Sequence, residues 1–96
     1  MDLSIVIPIY NEEGSLPLLF NQIKEALETS EKHHLKWECL LVDDGSNDSS
    51  WSTMLELATQ DKRFKFIKFR RNFGQTAALA AGIRGSSGNW IATLDG

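Results

Sequence analysis

The chain has 96 residues, ten Lys and Arg against 13 Asp and Glu, and a net charge of -3. With 42% hydrophobic residues, it builds one packed core, which excludes a disordered chain and a multidomain one. A single cysteine, Cys39, excludes a disulfide scaffold, and the acidic balance argues against general nucleic-acid binding.

The elements follow in chain order. Leu3 to Ile9 is a β-branched run that reads as a strand buried on both faces, and Pro8 near its end predicts a stop there. Tyr10-Asn11-Glu12-Glu13-Gly14-Ser15 is a turn-rich loop. Leu16, Leu19, Phe20, Ile23 and Leu27 then recur on one helical face, with Ser15 as N-cap and Pro17 in the first turn. Thr29 to Lys36 reads as a polar surface connection. Trp37 to Val42 is a second strand running into Asp43-Asp44-Gly45-Ser46-Asn47-Asp48. Trp51, Met54, Leu55 and Ala58 mark a second helix capped from Asp48 or Ser49.

Phe64 to Phe69 is a third strand. It lies in a basic stretch from Lys62 to Arg71 whose alternation reads as a strand with a solvated edge rather than a nucleic-acid surface. Arg71-Asn72-Phe73-Gly74 is a loop. The helix from Gln75 to Arg84 carries small residues suited to a close helix–sheet approach, and Trp90 to Leu94 is a fourth strand ending at Asp95. Cys39, Trp51 and Trp90 read as core, and His33-His34 as an incidental surface pair. No apolar run reaches the ~20 residues of a membrane span. The start MDLSIVIPIY carries an acid where a secretion signal carries positive charge. A soluble intracellular chain is expected.

The order βαβαβαβ with short connections predicts an α/β fold, a mainly parallel sheet covered by helices. Such sheets bind ligands at the carboxyl ends of their strands. There the sequence gathers Tyr10, Asn11, Glu12 and Glu13, then Asp43, Asp44 and Asp48, then Arg70, Arg71 and Asn72, then Asp95. Taken singly, each group is also a plausible turn, helix cap or solvated pair. Acids and arginines on one rim suit a phosphate ester held with a divalent metal. Neither a G-x-G-x-x-G nor a phosphate-loop pattern is present.

In register, Ser4 to Glu13 resembles the opening strand of family 2 glycosyltransferases, and Leu41-Val42-Asp43-Asp44-Gly45-Ser46-Asn47-Asp48 is similar to their VDDGSxD signature. Arg71-Asn72-Phe73-Gly74-Gln75 and Ile91-Ala92-Thr93-Leu94-Asp95-Gly96 continue the match across essentially the whole chain. The N-E-E and R-N-F-G-Q segments most resemble the subgroup that makes polyprenyl-phosphate sugars. The resemblance implies the nucleotide-sugar-binding half of a GT-A-type, three-layer fold with strand order 3-2-1-4. It assigns Pro8, Tyr10, Glu12 and Asp44 to the base and ribose, with Asp43 beside them and Arg71 also on the donor.

Asp95 matches the first carboxylate of an Asp-x-Asp motif that holds the ribose and a Mg²⁺ or Mn²⁺ on the diphosphate, and Gly96 matches its middle residue. Residues 1–96 are thus expected to be the N-terminal donor-binding part of a longer enzyme, with the acceptor half and any catalytic base beyond Gly96 and no transfer by this part alone. The implied partners are a UDP- or GDP-sugar and a lipid phosphate at the cytoplasmic face of a membrane. A sugar-nucleotide nucleotidyltransferase expects a Gly-rich loop where Asn11-Glu12-Glu13 stands. A receiver-type domain expects its acidic pair after the first strand, and a pure interaction module expects no nucleotide site.

Overall fold

The computed structural model describes residues 1–29 and 35–94, so His33, His34, Asp95 and Gly96 lie outside the described residues. The elements run β1 (Leu3–Ile9), α1 (Leu16–Thr29), β2 (Trp37–Asp43), α2 (Ser50–Gln60), β3 (Phe64–Lys68), α3 (Gln75–Gly85) and β4 (Trp90–Thr93). All strand pairs are parallel, and the sheet order is β3-β2-β1-β4. This is the expected topology, because each short connection feeds a helix that must cross over to the next parallel strand.

Alternation along the strands sorts two cores. Ile5, Ile7 and Ile9 of β1 and Trp37, Cys39 and Leu41 of β2 pack with Leu16, Phe20 and Ile23 of α1 and Met54 and Leu57 of α2. Val6 and Val42 face the other way, against Ala78 of α3. The small residues of α3 do permit a close approach: a Cβ on Gly82 would overlap Val6 Cγ1. Burial pushes the Cys39 thiol up to about 12, so it is an inert core residue at neutral pH.

Two expectations need correction. The buried face of α2 is Ser50, Met54 and Leu57, whereas Leu55 is exposed. Met54 to Leu57 is an i,i+3 step that keeps both toward the sheet, while Leu55 rotates off that face. Among the described residues Trp90 is 77% exposed rather than core, because there β4 pairs only with β1 and all four of its residues are exposed. β1 ends at Ile9, as expected, one residue past Pro8.

The alternation explains the proline. Val6 O accepts from Leu94 N (3.0 Å), and Pro8, two residues on, points toward the same neighbour. Its missing N–H therefore ends only the ladder toward β4. On the opposite side Ile9 O accepts from Asp44 N (2.8 Å), and pairing with β2 continues.

At the amino end of the sheet, Glu38 is fully buried. Its carboxylate accepts from Ser4 Oγ (2.6 Å), Ser87 N (2.6 Å) and Lys65 Nζ (2.7 Å), and Ser4 Oγ accepts from Gly88 N (2.7 Å). Burial disfavours the charge, but Lys65, Ser4 and the Ser87 N–H outweigh it and hold the carboxyl below its ordinary value of 4.5. This knot ties β1, β2, β3 and the turn before β4 together.

Candidate functional site

The loops at the carboxyl ends of β1 and β2 are stitched to each other. Asn11, at φ +51°, donates its N–H to Ser46 Oγ (2.9 Å), and its Oδ1 accepts from Asn47 N (2.7 Å). Glu12 N donates to Ser50 Oγ (2.8 Å) and Glu13 N to Asp48 Oδ2 (3.4 Å). Hydrogen bonding to Ser50 holds the Asp48 carboxyl below the usual carboxylate range. Asp48 thus organises the start of α2: its Oδ1 accepts from Ser50 N (2.9 Å), and Ser49 at the cap makes no side-chain cap bond.

The paired aspartates of β2 have different roles because strand alternation sends them to opposite faces. Asp43 is fully buried beneath this stitched loop, where its Oδ1 accepts from Ser46 N (3.1 Å) and from Ser46 Oγ. Its Oδ2 is buried without a partner among the described residues. Asp44, 4% exposed, faces the loop after β3. Its Oδ1 accepts from Phe73 N (2.8 Å) and its Oδ2 from Asn72 Nδ2 (3.0 Å) and Gly74 N (3.1 Å).

Gly45 makes this contact possible. It sits at φ +74°, and a Cβ there would overlap the backbone of Arg71 and Asn72. The motif Asp-Asp-Gly therefore contains one buried brace, one loop anchor and one spacer.

Between these loops lies a cleft of about 120 Å³ lined by Pro8, Ile9, Tyr10, Glu12, Asp44 and Gln75. The fold thus brings together Pro8, Tyr10, Glu12 and Asp44 from the predicted set. Tyr10 is 43% exposed and presents its ring at the mouth. Asp43 lies beneath the rim rather than on the cleft. Arg71 also lies outside the lining, with its guanidinium 4.9 Å from the centre of the Phe73 ring, and Asp95 lies outside the described residues.

Among the described residues no three His, Cys, Asp or Glu side chains gather as a metal centre. The Asp44 oxygens, occupied by N–H donors, do not fit as metal ligands. Sequence reasoning missed Gln75 and Ile9 as lining residues. The signal for Gln75 was its place as first residue of α3, immediately after the loop that Asp44 anchors. No helix among the described residues is long and apolar enough to cross a membrane.

Comparison with known proteins points one way. The family model for Glycosyl transferase family 2 matches residues 4–96. The undecaprenyl-phosphate 4-deoxy-4-formamido-L-arabinose transferases of Salmonella choleraesuis (strain SC-B67) and Salmonella paratyphi B are each 45% identical over 93 residues, 96% of this chain. The chain spans 28% of the length of these relatives. Among solved structures, S. aureus TarS residues 1–349 in complex with UDP superposes with a TM-score of 0.80 at 23% identity, covering 99% of this chain and 27% of that one. The mannosyltransferase PcManGT from Pyrobaculum calidifontis, in complex with GDP-Man and Mn²⁺, superposes at 0.83 and 21% identity, covering 97% and 26%. These structures share the fold, as the strand order predicts.

Proposed function

This chain belongs to glycosyl transferase family 2, and from that premise we propose that residues 1–96 form the N-terminal nucleotide-sugar-binding part of an enzyme moving a sugar from a UDP- or GDP-sugar to a polyprenyl phosphate. The observation that carries this reading is the cleft. Four of its six lining residues, Pro8, Tyr10, Glu12 and Asp44, are those that the family resemblance assigns to the nucleotide. The polyprenyl acceptor is supported by the relatives at 45% identity, whose name specifies undecaprenyl phosphate.

In the proposed reaction the bond between the anomeric carbon and the diphosphate oxygen breaks, its electron pair leaves with the nucleoside diphosphate, and an oxygen of the acceptor phosphate forms the new bond. The half-exposed Tyr10 ring offers a π-face to the base, and Glu12 offers an acceptor to its N–H groups or to ribose hydroxyls. Asp44 acts by fixing the 72–74 loop that leads into Gln75 before the donor arrives, which lowers the ordering cost of binding. Arg71, held beside the cleft, is suited to the donor phosphates. A Mg²⁺ or Mn²⁺ would neutralise the leaving diphosphate; the Asp44 oxygens are taken by N–H donors, and the family resemblance assigns the ion to Asp95.

The test is a proton–nitrogen NMR titration with UDP and with GDP in Mg²⁺ buffer. Expected are shifts at Tyr10, Glu12 and Gln75 and at the 72–74 amides, larger with one base than the other. A folded spectrum in which saturating nucleotide moves only signals away from the cleft overturns the assignment.

A further inference from the structure

Six of the ten Lys and Arg residues lie within residues 62–71, and no carboxylate does; the rest of the chain carries four cations against all 13 acids. The fold concentrates this asymmetry at one edge of the sheet, because β3 is the outer strand on that side. Arg63 is paired with Asp61 and Glu28, and Lys65 with Glu38. Lys62, Lys68, Arg70 and Arg71 have no carboxylate partner among the described residues and are exposed.

The same edge shows apolar surface. Alternation puts Phe66 and Lys68 on the face toward α2, where Phe66 meets Trp51 edge-on (5.1 Å between centroids) and Lys68 Nζ stands 5.1 Å from the Trp51 ring. Leu55, one turn along α2 from Trp51, is exposed beside them.

We infer that this β3–α2 edge is a docking surface for an anionic lipid bilayer. Cations set among partly exposed Trp, Phe and Leu suit the headgroup layer, where the ammonium and guanidinium groups meet lipid phosphates and the apolar edges enter the boundary. A single-stranded nucleic acid fits less well. It needs open aromatic faces for stacking, and Trp51 is already flanked by Phe66 and Lys68. The inference stands on charge distribution and packing alone, without the acceptor reading, so it is tested with vesicles that contain no polyprenyl phosphate.

The chain is sedimented with phosphatidylcholine vesicles with and without phosphatidylserine, at low and at physiological salt. Binding is expected only with phosphatidylserine and is weakened by salt. Each cation near the surface is worth roughly fivefold in partitioning, so Lys68→Gln with Arg70→Gln is expected to lower it about thirtyfold. The control Lys36→Gln with Arg84→Gln removes the same net charge elsewhere and is expected to change binding by less than about threefold. Circular dichroism of both variants verifies the fold. No preference for anionic vesicles, an equal loss in the control pair, or binding to single-stranded DNA without binding to vesicles would each overturn the inference. Failure here leaves the nucleotide titration untouched, because none of these four substitutions lines the cleft.

Discussion

Replacing Asp44 with Asn tests whether the second aspartate of the motif is an anchor as well as a wall. The amide is nearly isosteric, so the change is one of chemistry. With its oxygen kept on Phe73 N, its NH₂ faces Gly74 N and Asn72 Nδ2, both of which donate to the carboxylate at 3.1 and 3.0 Å. Both donors lose the charged Oδ2 and keep weaker acceptors: Gly74 N retains Oδ1 at 3.3 Å, and Asn72 Nδ2 retains the Asp44 carbonyl oxygen at 3.1 Å. A hydrogen bond to a charged group contributes about 1.5–3 kcal/mol. These remaining acceptors offset part of the loss, so the low end of that range applies. The expected loss is about 2 kcal/mol, which in a domain of this size lowers Tm by roughly 8–16 °C. Urea unfolding supplies the free energy, and amide exchange at Phe73 and Gly74 supplies the location. The matched control is Glu13→Gln: Glu13 is exposed and engages this region through its backbone N–H. Stability within about 0.5 kcal/mol of the parent, with unchanged exchange at Phe73 and Gly74, would refute the anchor.

Two other perturbations follow from the same structure. Gly45→Ala combines a left-handed backbone with overlap against the Arg71–Asn72 backbone; about 3 kcal/mol is expected, whereas Gly14→Ala, with open space around it, is expected to cost under about 1 kcal/mol. Equal midpoints in urea for these two variants would contradict the close approach. For Glu38, the folded carboxyl lies below its ordinary value of 4.5. Its stabilisation is therefore complete above that value and is lost as pH falls below it through the folded value. Glu38→Gln is expected to flatten the acid limb of a stability profile between pH 7 and 3, and an unchanged limb would show that other carboxylates carry it.

Much of this molecule is legible in the sequence because the parallel sheet buries its central strands on both faces. Leu3 to Ile9 and Trp37 to Val42 had to be interior, and one helical face of α1 had to cover them. Legibility fails at the edges. Trp90 has the composition of a core residue, but only strand order shows that, among the described residues, β4 has a single neighbouring strand. Leu55 and Leu57 are equally apolar, and a helix phase set by Met54 decides between them. At the rim, the residue types pointed to the loops that enclose the cleft, yet not to which carboxylate does what. Asp43 and Asp44 are adjacent and chemically identical, and only the pleat sends one beneath the loop and the other into the cleft. Glu38 went unnoticed because an isolated acid in a strand has no partner in sequence; Ser4, Lys65 and Ser87 come to it from three other segments.

The stitching of the two rim loops has a consequence for how such a site changes over time. Asn11 and Glu12 are bonded to Ser46, Asn47 and Ser50, so neither loop has an independent shape. A substitution that reshapes the first loop strands a donor or acceptor in the second. New ligand preference is therefore reached through paired changes some 35 positions apart, or by variation at Tyr10 and Gln75, which line the same cleft outside the stitch. Transplanting residues 10–13 from a relative without residues 46–50 carries over the letters of the loop but not its conformation.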